Sequence, residues 1–113
     1  MYQPGEVFLV PFPFSSMQTS KQRPVLALTP PDTFADMVCL AITSSPLHHA
    51  AFPLDNECFL EGILPKPSWV RLDKVYTLNA GLFVGRFGSL HAEVFERVKR
   101  HFCEHFGCHL LNR

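Results

Sequence analysis

Short runs of β-branched and aromatic residues recur along this chain, and prolines or turn-forming residues interrupt each of them. Runs of this length favour strands, because a helix in a globular protein needs a longer segment with apolar residues on one face. The runs that we interpret as strands are EVFLVPF at 6–12, RPVLALT at 23–29, MVCLAITS at 37–44, WVRLDKVYTL at 69–78 and GLFVGRFG at 81–88. The sequence therefore predicts a mostly β fold.

The segment near the C-terminus has a different period. Its apolar residues repeat every four positions, at Leu90, Val94, Val98, Phe102 and Phe106. This period predicts an amphipathic helix packed on the sheet, with Ser89 as its N-cap and Gly107 as its C-terminal stop. Together the patterns predict a small β-barrel with helical additions.

Length and charge limit the function classes. With 113 residues the chain is sized for one domain, which we expect to span 1–113. Ten Lys and Arg balance ten Asp and Glu, so no global basic field attracts nucleic acid, and a polyanion must be held by a local cluster of cations.

We find no signal peptide and no segment long enough to span a membrane, and we read the four cysteines as reduced thiols. We therefore expect a cytoplasmic protein.

An Arg-Pro pair, Arg23 and Pro24, begins the second predicted strand after the polar segment SSMQTSKQ. Proline biases the residue before it toward extended backbone, so Arg23 is held at a junction between loop and strand. A guanidinium held there can donate several hydrogen bonds to a phosphate. The alternative is a surface arginine that happens to begin a strand.

Two further polar motifs lie at strands. Thr43 and Ser44 end an apolar strand, where their hydroxyls either contact a phosphate oxygen or terminate the strand. Arg71 and Asp73 lie two residues apart on a predicted strand, so both side chains point to one face. They form either an acid, base and charge-stabilising pair or a surface ion pair.

In this order the motifs resemble the MazF/PemK type II toxins, which include the Kid toxin. The segments that carry the resemblance, from Gly5 to about Leu78, are GEVFLVPFPF, KQRPVLAL, LAITSS and WVRLDKVYTL. The resemblance implies an SH3-like, CcdB-type β-barrel that forms a homodimer. It also implies a sequence-selective, metal-independent endoribonuclease without a cofactor, an mRNA interferase that cuts single-stranded RNA and is restrained by a cognate antitoxin.

The catalytic residues that the resemblance implies are Arg23, Thr43, Arg71 and Asp73. In the implied reaction the ribose 2′-OH attacks the adjacent phosphorus and leaves a 2′,3′-cyclic phosphate and a 5′-OH. Our role hypothesis makes Asp73 the base and Arg71 the acid or phosphate partner, while Arg23 and Thr43 stabilise the phosphorane.

RNA contacts beyond these residues are assigned to four candidates, Lys21, Ser44, Ser45 and Trp69. Base selection is expected from two segments, Ser15 to Gln22 and Pro46 to Pro53, with Trp69 or Phe52 stacking on a base.

Two other functions remain open. A CcdB-like toxin acts by docking on DNA gyrase, and a degenerate toxin only binds its antitoxin. A metal site is not expected, because the C-terminal ligand candidates match no closed zinc motif by their spacing. These candidates are His101, His105, Cys108 and His109.

Overall fold

The structure is a computed structural model that describes residues 2–12, 21–46 and 50–107. Its seven strands form one antiparallel sheet that curls into a half-barrel, in the order β4-β6-β3-β2-β1-β7-β5, with one helix near the C-terminus. The strands are β1 Glu6–Phe12, β2 Lys21–Ala27, β3 Asp36–Thr43, β4 Ala51–Leu54, β5 Phe59–Gly62, β6 Ser68–Asn79 and β7 Gly85–Leu90, and the helix is α1 Ala92–Phe106. Single 3₁₀ turns occupy Asn56–Cys58 and Ala80–Leu82.

The five strands predicted from apolar runs are confirmed as β1, β2, β3, β6 and β7. Two strands, β4 and β5, were not predicted. Each has only four residues, and β4 contains Pro53, so neither carries a local strand pattern. They form because β6 and β7 offer them partners, through pairs such as Phe52 with Val70 and Phe59 with Leu90.

The helix ends where the sequence predicts but begins later. Gly107 closes it in the left-handed conformation, with φ of 72°. The prediction of Ser89 as N-cap is wrong: Ser89 belongs to β7, where its hydroxyl donates to Glu61 Oε1 over 3.4 Å. His91 is the N-cap residue and makes no side-chain capping bond.

Side chains on the two faces of the sheet form two separate apolar clusters. The helix-side cluster lies beneath α1 and includes Val7, Leu26, Leu40, Val70 and Val98. The far-side cluster consists of Phe8, Val10, Val25, Ala27, Met37, Cys39 and Ala80. Alternate residues of β1, β2 and β3 enter opposite clusters, as the period of a strand requires. Burial also raises the pKa of the Cys39 thiol to about 12, which fits a packing role.

Strand β6 carries a large irregularity opposite β3. Leu40 pairs with Val75 and Ile42 pairs with Val70, so two steps along β3 correspond to five steps along β6. The surplus of three residues forms a bulge and reverses the alternation of side chains beyond it. Before the bulge, odd-numbered residues such as Arg71 lie on the face of the far-side cluster, because Val70 and Leu72 enter the helix-side cluster. After the bulge, even-numbered residues lie on that face, and Tyr76 and Leu78 pack on the far-side cluster.

Within the described ranges, no helix combines the length and the apolar character that crossing a bilayer would require.

Candidate functional site

Three neighbouring strands bring Arg23, Thr43 and Arg71 to one cleft of about 250 Å³. We call it the strand cleft. Its lining residues are Arg23, Ala41, Ile42, Thr43, Arg71, Lys74 and Tyr76. Three of these carry positive charge, and none of the described residues that line it is acidic. The strand cleft is therefore suited to hold an anion.

The register of the strands explains why these side chains meet. Val25 of β2 pairs with Ala41 of β3, and continuing that antiparallel register places Arg23 level with Thr43. Thr43 in turn pairs with Trp69 of β6, two residues before Arg71. Because residues two apart share a face, all of these side chains lie on the same side of the sheet.

The hydroxyl of Thr43 is oriented by the turn that follows β3. Its Oγ1 accepts a hydrogen bond from the backbone N–H of Ser45 over 3.1 Å. That bond uses a lone pair, so the hydroxyl proton can be donated to a ligand. The sequence-based alternatives for Thr43, strand termination and phosphate contact, are thus compatible with one another.

Arg71 and Asp73 form a bidentate ion pair in the bulge of β6. Arg71 Nε donates to Asp73 Oδ1 over 2.9 Å, and Nη2 donates to Oδ2 over 2.8 Å. Chiefly through this hydrogen bonding, Arg71 lowers the pKa of Asp73 to about 2, and the pair raises the pKa of Arg71. Asp73 is not part of the lining that the described residues define, so it joins the strand cleft through Arg71.

Lys74 and Tyr76 also line the strand cleft, and sequence reasoning did not single them out. Tyr76 is an odd number of positions from Arg71, so strict alternation assigns it to the opposite face. The bulge returns it to the same face, where it also packs on the far-side cluster. No signal in the sequence gives the position of that bulge.

A second cavity of about 340 Å³ adjoins the strand cleft, and Arg23 and Ile42 line both. We call it the basic cavity. Two of the predicted RNA-contacting residues, Lys21 and Ser44, line it. The structure therefore brings these two residues next to Arg23.

Other predicted contacts lie elsewhere. Ser45 and the half-buried Trp69 are not among the described residues that line either cavity, although Trp69 is the cross-strand neighbour of Thr43. Phe52 is buried in the helix-side cluster, where its ring contacts His101, so it is not available to stack on a base. Of the two segments assigned to base selection, residues 15–20 of the first and 47–49 of the second lie outside the described residues.

A metal site is not apparent in the part of the chain that the structure describes, which contains no group of three or more His, Cys, Asp or Glu side chains able to hold an ion. His101 and His105 lie on α1. Cys108 and His109 lie outside the described residues.

Comparison with known families gives one match over nearly the whole chain. Residues 3–106 match the family described as PemK-like, MazF-like toxin of type II toxin–antitoxin systems. A comparison with curated proteins gives no match.

Solved structures share the fold at low sequence identity. A MazE–MazF complex from Deinococcus radiodurans is similar at a TM-score of 0.74 and 16% identity, covering 94% of this chain and 96% of that one. A mycobacterial endoribonuclease in complex with its cognate antitoxin is similar at 0.69 and 13%, covering 95% and 96%. Toxin MazF-mt6 from Mycobacterium tuberculosis is similar at 0.67 and 20%, covering 90% and 96%. These likenesses establish the half-barrel with its C-terminal helix.

Proposed function

Because the chain belongs to the PemK-like, MazF-like toxins of type II toxin–antitoxin systems, we propose that it is an endoribonuclease that cuts single-stranded RNA in the strand cleft. Toxins of this family are generally endoribonucleases. The observation that carries the proposal is the convergence of Arg23, Thr43 and Arg71 from three different strands on one cationic cleft. A protein that only docks on a partner has no need of this arrangement.

The scissile phosphate binds between Arg23 and Arg71. Guanidinium groups donate paired hydrogen bonds to phosphate oxygens, and both come from strands rather than mobile loops. Lys74 adds a third positive charge at the same cleft. The cations of the chain thereby stabilise the charge that develops on the phosphorane, and the reaction does not depend on a metal ion.

The nucleophile is supplied by the substrate. The ribose 2′-oxygen loses its proton and forms a bond to phosphorus, while the bond from phosphorus to the 5′-oxygen breaks and that oxygen takes up a proton. The products are a 2′,3′-cyclic phosphate and a 5′-OH. DNA lacks the 2′-OH and is not cut, and the protein contributes orientation and charge stabilisation without a covalent intermediate.

Thr43 donates its hydroxyl proton to a non-bridging phosphate oxygen. The hydrogen bond that its Oγ1 accepts from Ser45 supports this role, because it fixes the hydroxyl at the end of β3. A preorganised donor aimed at developing charge stabilises the transition state without reorganisation.

Asp73 holds Arg71 in position for the phosphate. A carboxylate whose pKa is lowered to about 2 is ionised at neutral pH but is a weak base while it is paired. It gains basicity toward the 2′-OH only when the substrate phosphate draws Arg71 away from it. The bidentate pair therefore supports a positioning role first and a proton-accepting role second.

A cognate antitoxin is the protein partner that we propose. The similar structures include a MazE–MazF complex and an endoribonuclease bound to its cognate antitoxin, which supports this assignment by analogy.

We also propose that the chain forms a homodimer, as its family membership suggests. Its formal net charge of zero lowers the electrostatic cost of such association.

The test is incubation of the purified protein with a long single-stranded RNA in EDTA, followed by sequencing of the fragment ends. We expect discrete fragments with 5′-OH ends. Arg23→Ala and Arg71→Ala should each reduce the cleavage rate by at least about 100-fold, the scale of losing one donor that stabilises transition-state charge.

The matched control is Arg100→Ala, which removes the same charged group from an exposed position of α1. It should cut at the wild-type rate. Intact RNA after treatment with folded wild-type protein would remove the catalytic proposal and favour a toxin that acts by binding.

A further inference from the structure

The basic cavity combines positive charge with an apolar wall. Its cations are Lys21, Arg23 and Lys66, and no described residue among those that line it is acidic. Its apolar residues are Leu9, Pro24, Ile42, Leu64, Pro65 and Phe87. We propose that this cavity binds the nucleotide next to the scissile phosphate, with its base against Phe87 and its phosphate at Lys66. This inference rests on the proposed RNA cleavage in the strand cleft.

The position of Arg23 connects the two sites. Arg23 and Ile42 line both cavities, but the basic cavity extends onto the helix-side face of the sheet, where Ile42 is buried. An RNA strand whose phosphate lies at Arg23 in the strand cleft therefore reaches the basic cavity by passing the start of β2 at Lys21. The volume of about 340 Å³ lies in the range of small-molecule sites, about 300–1,000 Å³. The space suits one nucleotide rather than a paired duplex.

Lys66 is held by the turn that carries it. Pro65 and Pro67 flank it, and proline fixes φ on either side of the lysine. The hydroxyl of Ser68, a buried residue, donates to the carbonyl oxygen of Lys66 over 2.9 Å. The backbone of the turn is thus restrained while the exposed ammonium group remains accessible to a phosphate.

Phe87 supplies a rigid aromatic surface. It is half-buried and packs against the helix-side cluster. Its neighbour Gly88 approaches the backbone of β5 so closely that an added Cβ would collide with the carbonyl oxygen of Glu61. A ring fixed in this way can stack on any of the four bases, because every base has a π-face. Differences in stacking strength then favour some bases over others.

The experiment compares Lys66→Ala, Phe87→Leu and the matched control Lys99→Ala, which removes a lysine from α1. The probe is a pool of short 2′-O-methyl oligoribonucleotides, which cannot be cleaved because the 2′-oxygen is blocked. Fluorescence anisotropy gives the affinity at several salt concentrations. Thermal unfolding of each variant verifies that it is folded.

We expect Lys66→Ala to weaken binding about three- to tenfold and to reduce the magnitude of the salt-dependence slope by about 0.7, the contribution of one phosphate contact on a single strand. Phe87→Leu should weaken binding about tenfold through lost stacking. It should also relax base preference at one position beside the cut when the fragment ends of a long RNA are sequenced. Lys99→Ala should match the wild type.

An affinity and salt slope for Lys66→Ala equal to those of Lys99→Ala would overturn the proposal. If the same variant also bound the antitoxin more weakly, the cavity would be assigned to the protein partner. Because binding is measured without cleavage, a wild type that binds the probe but cuts no RNA would count against the catalytic proposal alone.

Discussion

At the residue scale, the pairing of Arg71 with Asp73 bears on the hypothesis that Asp73 is the base and Arg71 the acid or phosphate partner. Spacing alone places both side chains on one face and allows either to act on a proton. The two hydrogen bonds between them and the lowered pKa of Asp73 make the carboxylate a weak base in the absence of substrate. The role of Asp73 is therefore tested best by a change that keeps its shape.

We expect Asp73→Asn to reduce kcat/KM about tenfold and Asp73→Ala about 100-fold, because Asn keeps one oxygen that can accept from Arg71. Because the pKa of the Asp73 carboxyl is about 2, the group is already ionised in mildly acidic solution. Titration of Asp73 in the free protein should therefore cause no fall in kcat/KM between neutral pH and pH 4. Equal losses in both variants would instead identify Asp73 as the essential base.

At the scale of elements, the contact between β5 and β7 depends on two glycines. Gly62 has φ of 76° and Gly88 has φ of 153°. A Cβ on Gly62 would collide with the carbonyl oxygen of Phe87, and one on Gly88 with that of Glu61. These two strands therefore approach more closely than side chains on their backbones would permit.

Gly88→Ala should lower the free energy of unfolding by about 3 kcal/mol or more, since backbone strain and a backbone collision combine there. Gly85→Ala in the same strand is the control, because its Cβ would lie at an ordinary 3.6 Å from Leu9 Cβ and should change stability by less than about 1 kcal/mol. Urea denaturation measures both. Similar values for the two variants would show that β5 can move away from β7 at little cost.

Elements whose signal is local were predictable, and those that depend on a distant partner were not. The runs at β1, β2 and β3 carry their own pattern, and Gly107 ends the helix as expected. Strands β4 and β5 and the bulge in β6 arise from pairing across the sheet. The same reason explains the site: Arg23, Thr43 and Arg71 were candidates from sequence, but Tyr76 reaches the strand cleft only through the bulge.

At the scale of the whole molecule, a neutral chain concentrates its cations. In the described part of the chain, five of its ten Lys and Arg residues line the two cavities, namely Lys21, Arg23, Lys66, Arg71 and Lys74. Asp73 compensates Arg71 at the strand cleft, whereas Glu6 and Glu61 both pair with Arg86, which lines neither cavity. The two cavities therefore provide the local cluster of cations that a polyanion partner requires of a chain with zero net charge.

This separation of charge predicts a moderate dependence of binding on salt. If four phosphates are neutralised, the logarithm of the affinity for a single-stranded 2′-O-methyl oligonucleotide should fall with log salt at a slope of about −3. Anisotropy titrations at several salt concentrations measure this slope. A slope near zero would mean that the cations of the two cavities do not face the phosphate backbone.

The three surplus residues of β6 also bear on how the gene can change. Removing one codon between Arg71 and Val75 would shift every later side chain of the strand to the opposite face, and Tyr76 and Leu78 would leave the far-side cluster. A substitution in the same stretch alters one side chain and leaves the rest of the strand in place. We therefore expect evolution to conserve the length of this stretch more strictly than the identity of its individual residues.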